Sequence, residues 1–480
     1  MNFFINKAMG IGNSGVEHAQ FYRAQLFDNL GIPYKYIFTE LVKELKEAME
    51  HWEISSEKVI DIWEFFTFGP EVARSGLIRK AERQDQIIKD FSNTHRIVQT
   101  VTSSRLLIKE HIEKSPNPKN NEFLLVSRYK IEIFDFLTGE RKIMFNEFKH
   151  PRRGRILENI HIYDFEGEHL FFRNEILFQR YFFECLSKIF LDKNTFILDR
   201  GEEPEVALFN HQFLNQNIIE VIHADHLGDR AVAKDPLWNN YYEYLLTHID
   251  QADKIIVSTD LQREDFIKDF PGVEDKFVTI PVGGIRDKRK SSSDSSNTER
   301  PLKFMTASRL ASEKHIDLAI RAFSEIHGEY PEIIFDIYGQ GVEEAKLQKV
   351  INELEANDYI HLKGHSNNLE DIYKQYDAFI SASYSEGFGL TYIEALNAGL
   401  PIITFKARFG ALELITDGVN GYLKDFKRGD ESFNVAQLKQ GIYQMIKGNY
   451  VELKRDTIES VEKYQDSVIG NKWKQVLDEL

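Results

Sequence analysis

The sequence predicts an α/β protein built from two doubly wound, Rossmann-like domains, the first interrupted by an antiparallel β-meander. Three observations predict it. Over residues 301–455, short apolar runs alternate with segments of helical spacing, the pattern of a parallel sheet covered on both faces. Residues 1–66 and 190–285 repeat that alternation. Residues 67–189 have a different texture: apolar side chains largely recur at every second position, as in strands with one covered face.

Along the chain, the first domain has predicted strands at residues 3–6, 34–38, 195–198, 218–223, 254–258 and 278–282. The insert contributes 123–136, a turn over 137–141, and strands at 143–148, 160–165 and 169–172. Residues 287–300 hold no apolar side chain, and 286–300 read as a solvated linker. Beyond it lie predicted strands at 304–308, 333–338, 359–363, 379–382 and 401–405. A final helix, 456–480, is expected to pack back on the N-terminal domain.

Acidic residues outnumber basic ones, 76 to 60, for a net charge of −16. A polyanion is repelled by such a chain, so nucleic acid is disfavoured as a partner. One cysteine, Cys185, excludes an internal disulfide and fits a reducing compartment. The start, Met1-Asn2-Phe3-Phe4-Ile5-Asn6-Lys7, reads as a strand rather than a leader. No run approaches the ~20 apolar residues of a membrane helix. A cytoplasmic protein is expected, with peripheral contact at the inner membrane face left open.

The densest chemistry is Ser385-Glu386-Gly387-Phe388-Gly389-Leu390-Thr391-Tyr392-Ile393-Glu394. An apolar strand runs into a glycine turn that opens a helix, so free backbone N–H groups and the positive helix end form an anion site. Two carboxylates, seven residues apart in between, flank it: Glu386 in the loop and Glu394 about one turn into the helix. This suits a ligand with a central diphosphate and hydroxyls at both ends, such as a nucleotide sugar. A plain strand–loop–helix with two solvated acids would look the same in isolation. The upstream strand end supplies Arg309 and Lys314. Two cations where open sheets bind ligands could neutralise a diphosphate, Arg309 as a fork and Lys314 as a point charge.

Two weaker signals lie in the first domain. Gly10-Ile11-Gly12-Asn13-Ser14-Gly15 follows the first strand, and its glycines would let backbone approach a ligand, though a structural turn fits equally well. His223-Ala224-Asp225-His226 has the composition of a metal cluster, but no second ligand set accompanies it, so no metal is assigned.

Ser308-Arg309-Leu310 with Glu313-Lys314, and Glu386 with Glu394, resemble the retaining GT-B glycosyltransferases of family 4, two Rossmann-like domains facing a cleft. The likeness extends through Tyr359-Ile360-His361-Leu362-Lys363-Gly364-His365 and Asp417-Gly418-Val419-Asn420-Gly421-Tyr422-Leu423. It implies that Arg309 and Lys314 bind the diphosphate, Glu394 the ribose, and Glu386 the donor sugar. It further implies donor contacts from Gly387, Phe388, Gly389 and Leu390, and places residues around His365 at the base. The first glycine loop, often Gly-Gly in the family, here reads Ser14-Gly15; Gly15 carries the role over, Ser14 less securely. His223 would contact the donor sugar and His226 the acceptor side. Catalysis is then assigned to Glu386, His223, Arg309 and Lys314, with a UDP-sugar as donor and no cofactor required.

The insert and the Asn13-Ser14-Gly15-Val16-Glu17 start resemble the bacterial surface-glycosylation branch. It includes transferases that add N-acetylglucosamine (GlcNAc) to serine-rich or Ser-Asp-repeat adhesins, and wall teichoic acid polyol-phosphate transferases. The basic run around Lys149, Arg152 and Arg153 could draw an acidic acceptor, or be a solvated turn. The implied partners are a nucleotide sugar and a repeat-rich protein, with self-association or a partner subunit through the insert. A wall teichoic acid polyol-phosphate α-GlcNAc or glucosyltransferase is the first alternative; a non-catalytic partner-stabilising protein on the same fold is the second, and the intact charged set speaks against it.

Overall fold

The computed structural model describes residues 1–12, 15–76, 80–150, 154–211, 215–229, 237–287, 302–366 and 368–480. They form two compact units, Met1–Val221 with Trp238–Ile255, and Ile222–Leu237 with Ile256–Leu480.

The first parallel sheet runs in the order Phe277–Thr279, Lys254–Val257, Gln216–Val221, Asn194–Leu198, Asn2–Asn6, Tyr34–Phe38, Val59–Asp61. Asn2–Asn6 pairs in parallel on both sides. Phe3, Phe4 and Ile5 are all buried, which explains the unbroken apolar run: both faces of a central parallel strand are covered. Helix Ile62–Phe68 follows, started by Asp61, whose carboxylate accepts from Trp63 N and Glu64 N.

The insert is a seven-stranded antiparallel sheet in sequential order, from Gln84–Phe91 to Glu168–Asn174. Its first three strands, Gln84–Phe91, His95–Val101 and Leu106–Asn117, were not predicted. Gln84–Phe91 is exposed along its whole length, so no burial alternation marks it; pairing with His95–Val101 holds it instead. The insert shares a core with the parallel sheet's helices. Trp63 packs on Phe145 at 4.8 Å between ring centres, Phe66 on Phe165 at 5.0 Å and Phe65 on Phe182 at 5.1 Å.

This unit also buries carboxyls. Glu220 lies 4% exposed, and its Oε1 has no hydrogen-bond partner among the described residues. Burial, then Glu205 and Asp199, push its pKa well up; burial lifts Glu205 to about 8. The folded state thus holds protons that the unfolded chain releases above the ordinary carboxylate range. Stability from these groups is full below that range and is lost as pH rises towards 8. We expect the melting temperature to fall between pH 5 and pH 8, and Glu220→Gln to flatten the fall; an unchanged slope would count against protonation of this carboxyl.

In the second unit the sheet order is Ile360–Gly364, Ile334–Tyr338, Lys303–Ala307, Ala378–Ile380, Ile402–Phe405, Gly421–Lys424. Each neighbouring pair in this order is parallel. The five predicted strands are present within a residue or two; Gly421–Lys424, short and partly exposed, is additional. Helix Ile316–His327 buries Ile316, Ala319, Ile320, Phe323 and Ile326, a single stripe at helical spacing. The expected terminal helix is instead two, Tyr450–Ser460 and Asp466–Glu479, parted by a 3-10 turn at Glu462–Tyr464. Asp466 N donates to Ile285 O at 2.8 Å and Ile285 N to Tyr464 O at 2.9 Å, tying this end to the segment before the linker. The predicted linker from residue 288 on lies outside the described residues. No described helix is long and apolar enough to cross a membrane.

Candidate functional site

Strands Lys303–Ala307 and Ala378–Ile380 are neighbours, so the loops leaving their carboxyl ends lie side by side. The first loop carries Arg309 and Lys314. It is pinned by Ser308 N to Tyr338 O, 3.1 Å, and Leu310 N to Gln340 O, 2.9 Å. That approach requires Gly339: at φ +138 a Cβ there would sit 1.8 Å from the Ser308 carbonyl oxygen. Arg309 is exposed, with Nη2 donating to Glu313 Oε1 at 3.0 Å.

Lys314 Nζ reaches Glu386 Oε1 at 2.5 Å, and the two side chains are only 20% and 16% exposed. The sequence assigned these residues to diphosphate and sugar separately; the fold joins them as one charged pair. Glu386 is held by its backbone. Its N–H donates to Arg408 O at 3.0 Å, and its carbonyl accepts from Phe409 N at 2.6 Å and Gly410 N at 2.9 Å. Gly389, at φ +88, starts helix Leu390–Asn397, and no side chain caps that start. Phe388 is buried, with Leu390 at the first helical position. The first amides of this helix thus have no side-chain acceptor, an arrangement chemically suited to an anion.

Gly387 lies against the next loop: a Cβ there would meet the His223 carbonyl oxygen at 2.3 Å. Both sides are backbone, so Gly387→Ala must displace one of them, at a cost of about 1–3 kcal/mol. We expect that variant to melt earlier and to lose most of its turnover; wild-type values in both would refute the contact.

Glu394 occupies the outer side of its helix, and Tyr373 Oη, itself buried, donates to its Oε2 at 3.0 Å. The carboxylate keeps access to solvent, yet the surrounding protein desolvates it enough to hold its pKa up at about 7. His223 is half-buried just past Gln216–Val221, two residues beyond the strand's end. His365 is exposed just past Ile360–Gly364.

His226 differs from expectation. Its side chain is fully buried, its ring stacks on Phe266 at 4.0 Å, and Nε2 lies 3.3 Å from Asp269 Oδ2. A packed, inward-facing imidazole cannot line an open acceptor surface, so the acceptor assignment is withdrawn. In the first unit, Gly15 opens helix Gly15–Leu30 and Lys149 is exposed on strand Arg141–His150, while Ser14, Arg152 and Arg153 lie outside the described residues. Among the described residues, no group of three or more His, Cys, Asp or Glu side chains could hold a metal ion. Two contributors escaped the sequence reading: Tyr373, and the Lys406-Ala407-Arg408-Phe409-Gly410 loop that brackets Glu386. A cation and a glycine just after a predicted strand were the available signal for the loop; Tyr373 gave none.

The family model described as glycosyl transferases group 1 matches residues 287–464. The UDP-N-acetylglucosamine–peptide N-acetylglucosaminyltransferase GtfA subunit of Streptococcus pneumoniae serotype 4 (strain ATCC BAA-334 / TIGR4) is 32% identical, over 99% of this chain and 98% of its own. The crystal structure of the pneumococcal O-GlcNAc transferase GtfA with UDP and GlcNAc superposes with a TM-score of 0.75 at 28% identity, covering 100% of this chain and 98% of that one. A GtfA/B complex structure gives the same TM-score and identity, covering 100% and 99%. The chain belongs to the family of the UDP-N-acetylglucosamine–peptide N-acetylglucosaminyltransferase GtfA subunits, glycosyltransferases of the GT-B fold.

Proposed function

We propose that the protein transfers GlcNAc, with retention at the anomeric carbon, from UDP-GlcNAc to serine hydroxyls of a serine-rich or Ser-Asp-repeat surface protein. The carrying observation is the Lys314–Glu386 pair beside Arg309 at an uncapped helix start, in a chain akin to a transferase solved with UDP and GlcNAc. Arg309, Lys314 and the helix end stabilise the charge that grows on the departing diphosphate. The C1–O bond to UDP breaks, the serine oxygen bonds C1 from the same face, and the serine proton passes to a diphosphate oxygen. Glu386 and His223 hold sugar hydroxyls, Glu394 the ribose, and the His365 region the base.

The acceptor is presented with a partner subunit, a reading supported by the likeness to a GtfA chain solved in a GtfA/B complex. Supporting this, the insert exposes the apolar side chains Phe123, Leu125 and Val126 on one strand, and Ile87 and Phe91 on its edge strand. Exposed apolar side chains on an edge strand favour pairing with another chain.

Intact mass of a serine-repeat peptide after incubation with UDP-GlcNAc, with and without the partner subunit, tests the reading. Steps of one N-acetylhexosamine per serine support it. UDP release with transfer only to a polyol phosphate would replace the acceptor, and no UDP release under any condition would refute the activity.

A further inference from the structure

Helix Asp260–Asp269 carries no residue assigned to the site, yet three of its side chains grip the two loops that flank Glu386. Arg408 Nη2 donates to both Asp265 oxygens at 2.8 Å, and the Asp265 side chain is 9% exposed. Arg408 O in turn accepts from Glu386 N, and the next two amides, Phe409 and Gly410, donate to Glu386 O. On the other side, the wholly buried Gln262 donates from Nε2 to Ala224 O at 2.8 Å, fixing the residue after His223. Phe266 stacks on His226 in the same loop, and His226 lies 6.3 Å from the Phe409 ring. Between these holds, the Gly387 backbone presses on the His223 carbonyl.

We infer that Asp265 and Gln262 are positioning residues: Asp265 sets Glu386 through Arg408, and Gln262 sets His223 through Ala224. Catalytic groups must be held to within a fraction of an ångström, and a charged hydrogen bond at low exposure can do so from outside the ligand's reach. The kinetic arm rests on the proposed transfer; the structural arm does not.

Hydrogen exchange in the ligand-free full-length chain reads the restraint directly. Asp265→Asn and Arg408→Gln should each speed exchange at the Glu386, Phe409 and Gly410 amides about tenfold while the melting temperature holds. With UDP-GlcNAc, the same variants should lose about tenfold or more in kcat while Kd for UDP is unchanged, and Arg408→Lys should recover most of the loss. Unaltered exchange at those amides overturns the proposal. So does a parallel fall of melting temperature, UDP affinity and kcat, the mark of a general folding defect. A wild-type chain that turns over no UDP-sugar would fault the functional reading, and the exchange result alone would then decide the positioning role.

Discussion

Lys314→Ala lowers kcat for UDP release from UDP-GlcNAc by about 10²–10³-fold, the usual cost of removing one stabilising group from a developing anion. Two effects add in the same direction. The diphosphate loses a point charge, and the Glu386 carboxylate, 16% exposed, loses its partner at 2.5 Å. A partly buried charge left without its partner is costly, and the carboxylate is no longer held in place. Glu386→Gln removes the other half of the pair and should be comparably slow. The double variant should be far less than additive, because the two groups act as one unit. Initial rates at saturating donor, with thermal melting as a folding control, check this. A folded Lys314→Ala protein with near-normal kcat would remove Lys314 from the mechanism. Arg309→Ala tests the other cation; its exposed side chain pairs with Glu313, also exposed, so its loss should leave the fold intact and strike turnover alone.

Glu394→Ala should weaken UDP-GlcNAc binding by about 10–100-fold, the worth of a hydrogen bond to a charged acceptor. The pH dependence gives a sharper signature. With its pKa held at about 7 by desolvation, Glu394 in the free protein is protonated below that value. In the proposed binding mode the ribose hydroxyls donate to the charged form, so binding favours ionisation. Affinity should therefore climb as pH rises from 5.5 to 7, level off above, and be accompanied by proton release on the climbing limb. UDP-GlcNAc is the right probe because its diphosphate, esterified at both ends, does not titrate there. Tyr373 Oη steadies the carboxylate, so Tyr373→Phe should move the whole profile to higher pH. Calorimetry across pH in buffers of different ionisation enthalpy measures both quantities. A flat profile in the wild type would take Glu394 out of contact with the ribose.

Features that depend on near neighbours are legible along the chain. Parallel strands covered on both faces leave continuous apolar runs, and the helices between them leave a 3.6-residue stripe, as Ile316–His327 does. The Glu386 loop, its glycines and Glu394 fall on one strand–turn–helix, so their spacing was readable as an anion site. The tertiary structure decided what lies far apart in sequence. Lys314 meets Glu386 across 72 positions and Arg408 meets Asp265 across 143, and no local periodicity encodes such pairs. Tyr373 supports Glu394 only because its own ring is packed inside. His226 looked like a site residue beside His223, yet adjacent residues in a loop can face opposite ways, and the ring found Phe266. The first strand of the insert, Gln84–Phe91, stayed hidden because hydrogen bonds to a neighbour, not burial, keep it in place. Patterns that arise from burial are written along the chain, whereas partners chosen by folding are fixed only when distant segments meet.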